Sequence, residues 1–238
     1  MSERVDSAGN GADRLAVAIS EPLQAATTGR FHLHPGEPGA PLLVGFHGYG
    51  ETAEKILAEL AQVASSPELP GWSVAAVEAL HPFYTRQGEV VRSWMTRVDR
   101  ELAIADNVAY VGATLARLAR LAPFPFWVAC GFSQGAAMAW RSAVRLAVAS
   151  ERPARCRAVI ALGGDLPPDL DDLPALPFEQ VLLGRGRRDE WYTPEKLAAD
   201  RERLGRLGLV PEVHEFDGGH EWTAEFQRRA GDFLQRML

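Results

Sequence analysis

From residue 41 onward the chain alternates short, dense apolar runs with segments of helical period. PLLVGF (41–46), WSVAAVEAL (72–80), FWVACGF (126–132), RAVIALGG (157–164), EQVLLGRG (179–186) and PEVHEF (211–216) read as strands, most of them without polar alternation. Such runs suit strands buried on both faces. Between them lie helical patterns at about 53–64, 102–122, 134–149, 193–208 and the C-terminus. The clearest places Ile104, Val108, Val111, Leu115, Leu118 and Ala122 on one face. Thr193-Pro194-Glu195 is a helix start, with Thr as N-cap, Pro at the first helical position and Glu at the positive end of the dipole. Strands that alternate with helices need crossover connections. The expected fold is therefore α/β, three layers deep, with a mainly parallel central sheet and helices on both faces. RLAVAIS (14–20) and GRFHLH (29–34) have no helix between them and suggest an antiparallel N-terminal edge.

Composition sets outer limits. With 238 residues, 47% of them hydrophobic, the chain has enough apolar surface for one packed domain, expected over 14–238. Residues 1–13 are rich in Ser, Gly, Asn and Asp and read as a disordered leader. The leader is polar where a secretory signal would be apolar, so the expected compartment is the cytoplasm. No segment reads as a membrane-spanning helix. A formal net charge of -6 argues against a broad nucleic-acid surface. Two cysteines do not make a disulfide scaffold. Cys130 ends one strand and Cys156 precedes the next, which puts them at opposite ends of neighbouring strands. No Cys/His spacing fits a metal, and no glycine-rich loop fits a phosphate, so the expectation is chemistry without a cofactor.

In such a sheet, ligands sit beyond the carboxyl ends of the strands. One loop there reads Gly131-Phe132-Ser133-Gln134-Gly135, between a strand and a helix. That is the context of a nucleophile elbow: a sharp turn lifts the serine hydroxyl above a helix N-terminus, and flanking glycines keep side chains away. A serine hydroxyl needs a base. Of six histidines, His220 lies in a loop after the last strand, within reach of Ser133, and is preferred to His81. The acid that orients the imidazole falls between them in chain order. Asp189 follows a strand and is the first choice, with Glu190 and Asp165 as rivals. An oxyanion hole needs two aimed amides. Gln134 follows the serine, and Tyr49 sits in the loop His47-Gly48-Tyr49-Gly50-Glu51 after the first buried strand. Phe83, Trp94, Trp191, Tyr192 and Trp222, together with the Tyr49 ring, are candidates to line an acyl pocket. Arg86, Arg92 and Arg97 read better as solvated loop charges than as an anion site.

Taken together, Phe46-His47-Gly48-Tyr49-Gly50, Gly131-Phe132-Ser133-Gln134-Gly135-Ala136, the Asp189 loop and Gly219-His220-Glu221 resemble the phospholipase/carboxylesterase family of α/β-hydrolases. The family includes acyl-protein thioesterases and small carboxylesterases. The resemblance runs from about residue 41 to the C-terminus. It implies an α/β-hydrolase fold, a Ser133-His220-Asp189 triad, oxyanion amides at Tyr49 and Gln134, and a small ester or thioester substrate cleaved through an acyl-enzyme. Ser93-Trp94-Met95 is similar to a short Trp-containing motif that borders the family's acyl site. The chain departs from the pattern at Met95-Thr96-Arg97, Glu190-Trp191-Tyr192 and Glu221-Trp222, which surrounds the triad with aromatic side chains. A non-catalytic ligand-binding module and an amidase or peptidase are the competing expectations on this scaffold.

Overall fold

The computed structural model describes residues 21–65, 69, 71–148 and 154–238. The strand expected over 14–20 lies outside these residues, as does the 1–13 leader. Among these residues nine strands and five α-helices follow one another: β1 (Phe31–His34), β2 (Leu42–Phe46), α1 (Ala53–Ala64), β3 (Ser73–Val77), β4 (His81–Tyr84), β5 (Val90–Ser93), α2 (Arg100–Leu121), β6 (Phe126–Phe132), α3 (Gln134–Arg145), β7 (Arg155–Leu162), β8 (Gln180–Gly186), α4 (Pro194–Arg206), β9 (Glu212–Phe216) and α5 (Ala224–Gln235). Seven strands form one sheet in the order β1-β3-β2-β6-β7-β8-β9. All neighbours are parallel except β1, which pairs antiparallel with β3 at the edge.

Side-chain alternation divides the core into two layers. On one face Leu42, Val44 and Phe46 of β2, Ala129 of β6 and Val159 of β7 pack with Ile104, Val111 and Leu115 of α2 and Met138 and Trp140 of α3. On the other face Leu43, Val128, Cys130 and Ile160 meet Ile56, Leu57 and Leu60 of α1 and Phe226, Phe233 and Leu234 of α5. Because strands β2, β3, β6, β7 and β8 are covered on both sides, their sequences carry no polar alternation.

The chain runs from β2 through α1 to β3 on one side, then returns to place β6 on the other side of β2. Strand order thus reverses between β2 and β6, and the loops leaving their carboxyl ends diverge around a crevice. These are the loop 47–51 and the bend at Ser133.

Several local expectations need correcting. The stretch around His81, read as a loop from the sequence because Pro82 follows, is a strand: His81 opens β4, which pairs antiparallel with β5 as a separate hairpin, His81 opposite Ser93. The strand expected over 72–80 is confined to Ser73–Val77. Cys156 lies inside β7, opposite Trp127, and packs on the face of the sheet away from Cys130; both thiols are free and buried. Thr193 holds the N-cap position of α4 but makes no side-chain cap bond. The sequence does contain one uncharged stretch of 20 residues, Leu121 to Trp140, as long as a membrane-spanning helix. It is divided among the end of α2, β6 and the first half of α3. Among the described residues no helix is long and apolar enough to cross a membrane.

Candidate active site

Ser133 is the single residue between β6 and α3. Its backbone sits at φ 54°, ψ −121°, a region L-residues avoid at a cost of about 1–3 kcal/mol. Two contacts hold it there: its N–H donates to Leu162 O (2.9 Å) and its carbonyl accepts from Ala136 N (3.0 Å). The neighbouring glycines are a steric requirement. A Cβ on Gly131 would stand 2.3 Å from Gly135 O, and one on Gly135 would stand 2.0 Å from Phe46 O. The start of α3 therefore lies directly against the backbones of β6 and β2. Ser133 occupies the N-cap of α3, yet its hydroxyl makes no cap bond.

The hydroxyl instead meets His220: Oγ lies 2.8 Å from Nε2. His220 Nδ1 lies 2.8 Å from Asp189 Oδ2. Asp189 is 4% exposed. Its other oxygen, Oδ1, accepts from the amides of Trp191 (2.8 Å) and Tyr192 (2.9 Å). A buried carboxylate is costly unless hydrogen-bonded, and these donors meet that need. The network also assigns the imidazole tautomer. An ionised Asp189 can only accept, so Nδ1 carries the proton and the Nε2 lone pair faces the serine hydroxyl. The loops bearing Asp189 and His220 are tied by backbone: Arg187 N donates to Phe216 O (2.9 Å) and Arg188 N to Gly218 O (2.8 Å). The His220 ring lies against Phe132, centroids 4.8 Å apart.

The rivals lie elsewhere. Asp165 is exposed and pairs with Lys196 at 3.3 Å. Glu190 points to solvent, and His81 is exposed on β4. His32 and His214 pair with Glu54 and Glu225.

After β2 the chain turns through His47–Glu51. Gly48 N donates to Glu51 Oε2 (2.8 Å). Gly50 N donates to Arg92 O (2.9 Å), and Arg92 N donates to Glu51 O (3.0 Å). The β4–β5 hairpin thus clamps this turn, and Tyr49 stacks on Phe83 with centroids 5.0 Å apart. Neither Tyr49 N nor Gln134 N makes a backbone hydrogen bond among the described residues. Gln134 opens α3, where first-turn amides lack intrahelical partners. Its side chain reaches the other way, accepting from Trp94 N (2.9 Å) and donating to Met95 O (3.0 Å).

His47 anchors the turn from below. Its Nδ1 donates to Gly48 O (2.7 Å) and its Nε2 accepts from Ala79 N (3.1 Å), so the ring is neutral with both nitrogens used. Burial holds its pKa below the ordinary 6.5. The unfolded chain therefore takes up this proton at a pH where the folded chain does not, and acid favours unfolding. This contribution is complete above about pH 6.5 and is lost as pH falls toward the folded pKa, by up to about 1.4 kcal/mol per pH unit. The midpoint of thermal unfolding is expected to drop between pH 7 and pH 5, above the range where most carboxylates titrate. A midpoint that stays level or rises there contradicts the assignment.

A cleft of about 440 Å³ opens beside Ser133 and Gln134. It is lined by Gly163 to Pro168, by Arg100 at the start of α2, by Ala137 and Arg141 of α3, and by Trp191, Lys196, Ala199, Asp200 and Arg203 around α4. Of the aromatic residues expected at the acyl site, Trp191 alone lines this cleft, and it is largely exposed. Trp94 and Tyr192 are fully enclosed, and the structure puts them behind the site. Trp94 Nε1 donates to His47 O (2.8 Å), while Tyr192 Oη bonds Asp200 Oδ2 (3.0 Å). Phe83 and Trp222 are half-buried, against Tyr49 and Phe132 respectively. Sequence reasoning gave no role to Glu51 or Arg141. The visible signal for Arg141 was a lone cation inside the otherwise apolar AAMAWRSAV. Among the described residues no three His, Cys, Asp or Glu side chains are grouped to hold a metal ion.

No protein-family model matches the chain, and no curated protein matches it. Solved structures do. Esterase PE8 is 24% identical with a TM-score of 0.67, over 89% of this chain and 100% of that one. A Bacillus cereus carboxylesterase is 18% identical with a TM-score of 0.64, over 88% of this chain and 95% of that one. A Zea mays acyl-protein thioesterase 2 is 18% identical with a TM-score of 0.62, over 88% of this chain and 99% of that one. The seven-stranded, mostly parallel sheet with its antiparallel edge, superposed along nearly the full length of these chains, is the α/β-hydrolase fold.

Proposed function

We propose that the protein is a serine hydrolase that cleaves carboxylic esters or thioesters with Ser133 as nucleophile, His220 as base and Asp189 as the orienting acid. The observation that carries this reading is the unbroken hydrogen-bonded line Asp189–His220–Ser133, with the hydroxyl on a strained bend above a helix N-terminus. In this mechanism Ser133 Oγ attacks the acyl carbonyl carbon as its proton passes to His220 Nε2. The imidazolium then protonates the departing alcohol or thiol as the acyl carbon–heteroatom bond breaks. Water attacks the acyl-serine with its proton taken by Nε2, the acyl–Oγ bond breaks, and the free acid leaves as the proton returns to Ser133. The amides of Tyr49 and Gln134 are the proposed donors to the oxyanion. A small, diffusible ester is the proposed partner, with no nucleic acid, and the proposed compartment is the cytoplasm.

Matched ester, thioester and amide substrates test this. The wild type is expected to turn over ester or thioester. Ser133→Ala is expected to lose at least about 1,000-fold in kcat. Turnover that survives the substitution, or ligand binding without any turnover, overturns the reading.

Glu51 has a positioning role in this scheme. Its carboxylate holds Gly48 N and so fixes the plane of the following Tyr49 amide. Glu51→Ala is expected to lower kcat by about 10- to 100-fold with little change in KM, because a slack donor fails the transition state more than the ground state. An unchanged kcat would remove Glu51 from the machinery.

A further inference from the structure

The cleft beside Ser133 is unusual in its charge. Four cations line it, Arg100, Arg141, Lys196 and Arg203, against two carboxylates, Asp165 and Asp200. This is a local reversal in a chain whose formal net charge is -6. The carboxylates that offset Arg141 and Arg203 from outside, Asp169 and Asp171, are not in the lining. Asp169 is shared between Arg141 and Arg145. Lys196 is exposed; its Nζ donates to Trp191 O (2.8 Å) and lies 3.3 Å from Asp165 Oδ2. Arg100, at the cleft mouth, has no carboxylate partner among the described residues.

Arg141 adds a second, independent observation. It is 1% exposed, and its Nε and Nη2 are taken up by Asp169. The acceptor met by its Nη1 is the thioether of Met95, at 3.5 Å. Sulfur is a weak acceptor, so a buried guanidinium nitrogen in the cleft wall is under-satisfied. Burial also raises the pKa of Asp200, and this carboxyl is engaged by Leu166 N, Tyr192 Oη and Arg203. Those three donors occupy the Asp200 carboxylate, so it is not free to neutralise the exposed cations at the mouth.

Ser133 and Gln134 line the cleft directly, and the His220 ring packs against Gly163 at its edge. The acyl carbon bonds to Ser133 Oγ, at the residue that opens the cleft, whereas the leaving group has to face His220 Nε2 to be protonated. This favours the acyl half as the group that enters the cleft. We propose that the preferred acyl group bears a carboxylate at its far end, seated by Arg100 and Lys196 at the mouth and by the field of Arg141 in the wall. The substrate class is the half-ester, or half-thioester, of a dicarboxylic acid. Hydrolysis breaks the acyl C–O or C–S bond and releases the alcohol or thiol and the free dicarboxylate.

This inference rests on the hydrolase reading above, and its test has one arm that does not. In the first arm, pH-stat hydrolysis compares monomethyl adipate with methyl hexanoate, which differ by a carboxylate in place of a terminal methyl. The half-ester is expected to have at least about a tenfold higher kcat/KM at low salt, falling as ionic strength screens the exposed cations. The Arg100→Ala/Lys196→Ala double variant is expected to reduce that ratio at least about fivefold. Equal rates for the two esters, or a ratio the double variant leaves intact, overturn the proposal. A preference for 4-acetoxybenzoate over phenyl acetate, in place of the adipate preference, puts the anion on the leaving group and overturns the acyl assignment. In the second arm, calorimetry measures adipate binding to Ser133→Ala protein without turnover. Binding that weakens in the added Arg100/Lys196 background supports the site even if no ester is hydrolysed. Absence of binding at millimolar adipate counts against it even if esters are hydrolysed.

Discussion

Asp189→Asn is expected to lower kcat by about 10⁴-fold while leaving KM within a few-fold and the fold intact. The reason is specific to this site. Asp189 Oδ1 faces two backbone donors, Trp191 N and Tyr192 N. In the variant the amide oxygen must take that position, because an NH2 group there would meet two N–H groups. The NH2 group then points at His220 Nδ1, which has to accept. The imidazole proton moves to Nε2, and the lone pair that should receive the serine proton is gone. Steady-state kinetics alongside thermal unfolding checks this. A loss below about tenfold, with the protein folded, would mean that Asp189 does not set the tautomer.

Gly135→Ala is expected to cost about 3 kcal/mol or more, a fall of about 6–12 °C in Tm for a domain of this size, together with most of the activity. The new methyl would stand 2.0 Å from Phe46 O and 2.4 Å from His47 O. Both atoms belong to backbone, one at the end of β2 and one in the turn that carries Tyr49. No side-chain rotation relieves such a contact, so either α3 or β2 has to shift. Either movement separates the Gln134 and Tyr49 amides. A variant that melts within about 2 °C of wild type would show that the elbow is less crowded than described.

The sheet was legible because burial on both faces leaves an unmistakable trace in β2, β6, β7 and β8, and α1 and α5 carry continuous apolar stripes. The β4–β5 hairpin was not. His81-Pro82 opens it, its strands are four residues each, and it lies outside the main sheet, so no dense apolar run marks it. The bend at Ser133 was readable from its glycines, whose positions follow from close backbone crossing. The aromatic residues were harder to place, because residue type does not say which side of a wall a ring occupies. Trp94 lies under the turn after β2, and Tyr192 lies over Asp200; tertiary packing alone decides both. The cationic cleft was invisible for a related reason. Arg100, Arg141 and Lys196 come from α2, α3 and α4, and only the folded sheet brings those three helices together. Arg92, two residues before Trp94, turns to Glu78 at 3.1 Å.

The central claim is that Ser133 is a nucleophile activated by His220. Treatment with a fluorophosphonate, followed by intact-mass and peptide-mass measurement, addresses it without any knowledge of the natural substrate. The account predicts one adduct per chain, on the peptide that contains Ser133, formed far more slowly in His220→Ala and absent in Ser133→Ala. A folded wild-type protein that takes up no probe, or takes it up at another residue, would contradict it.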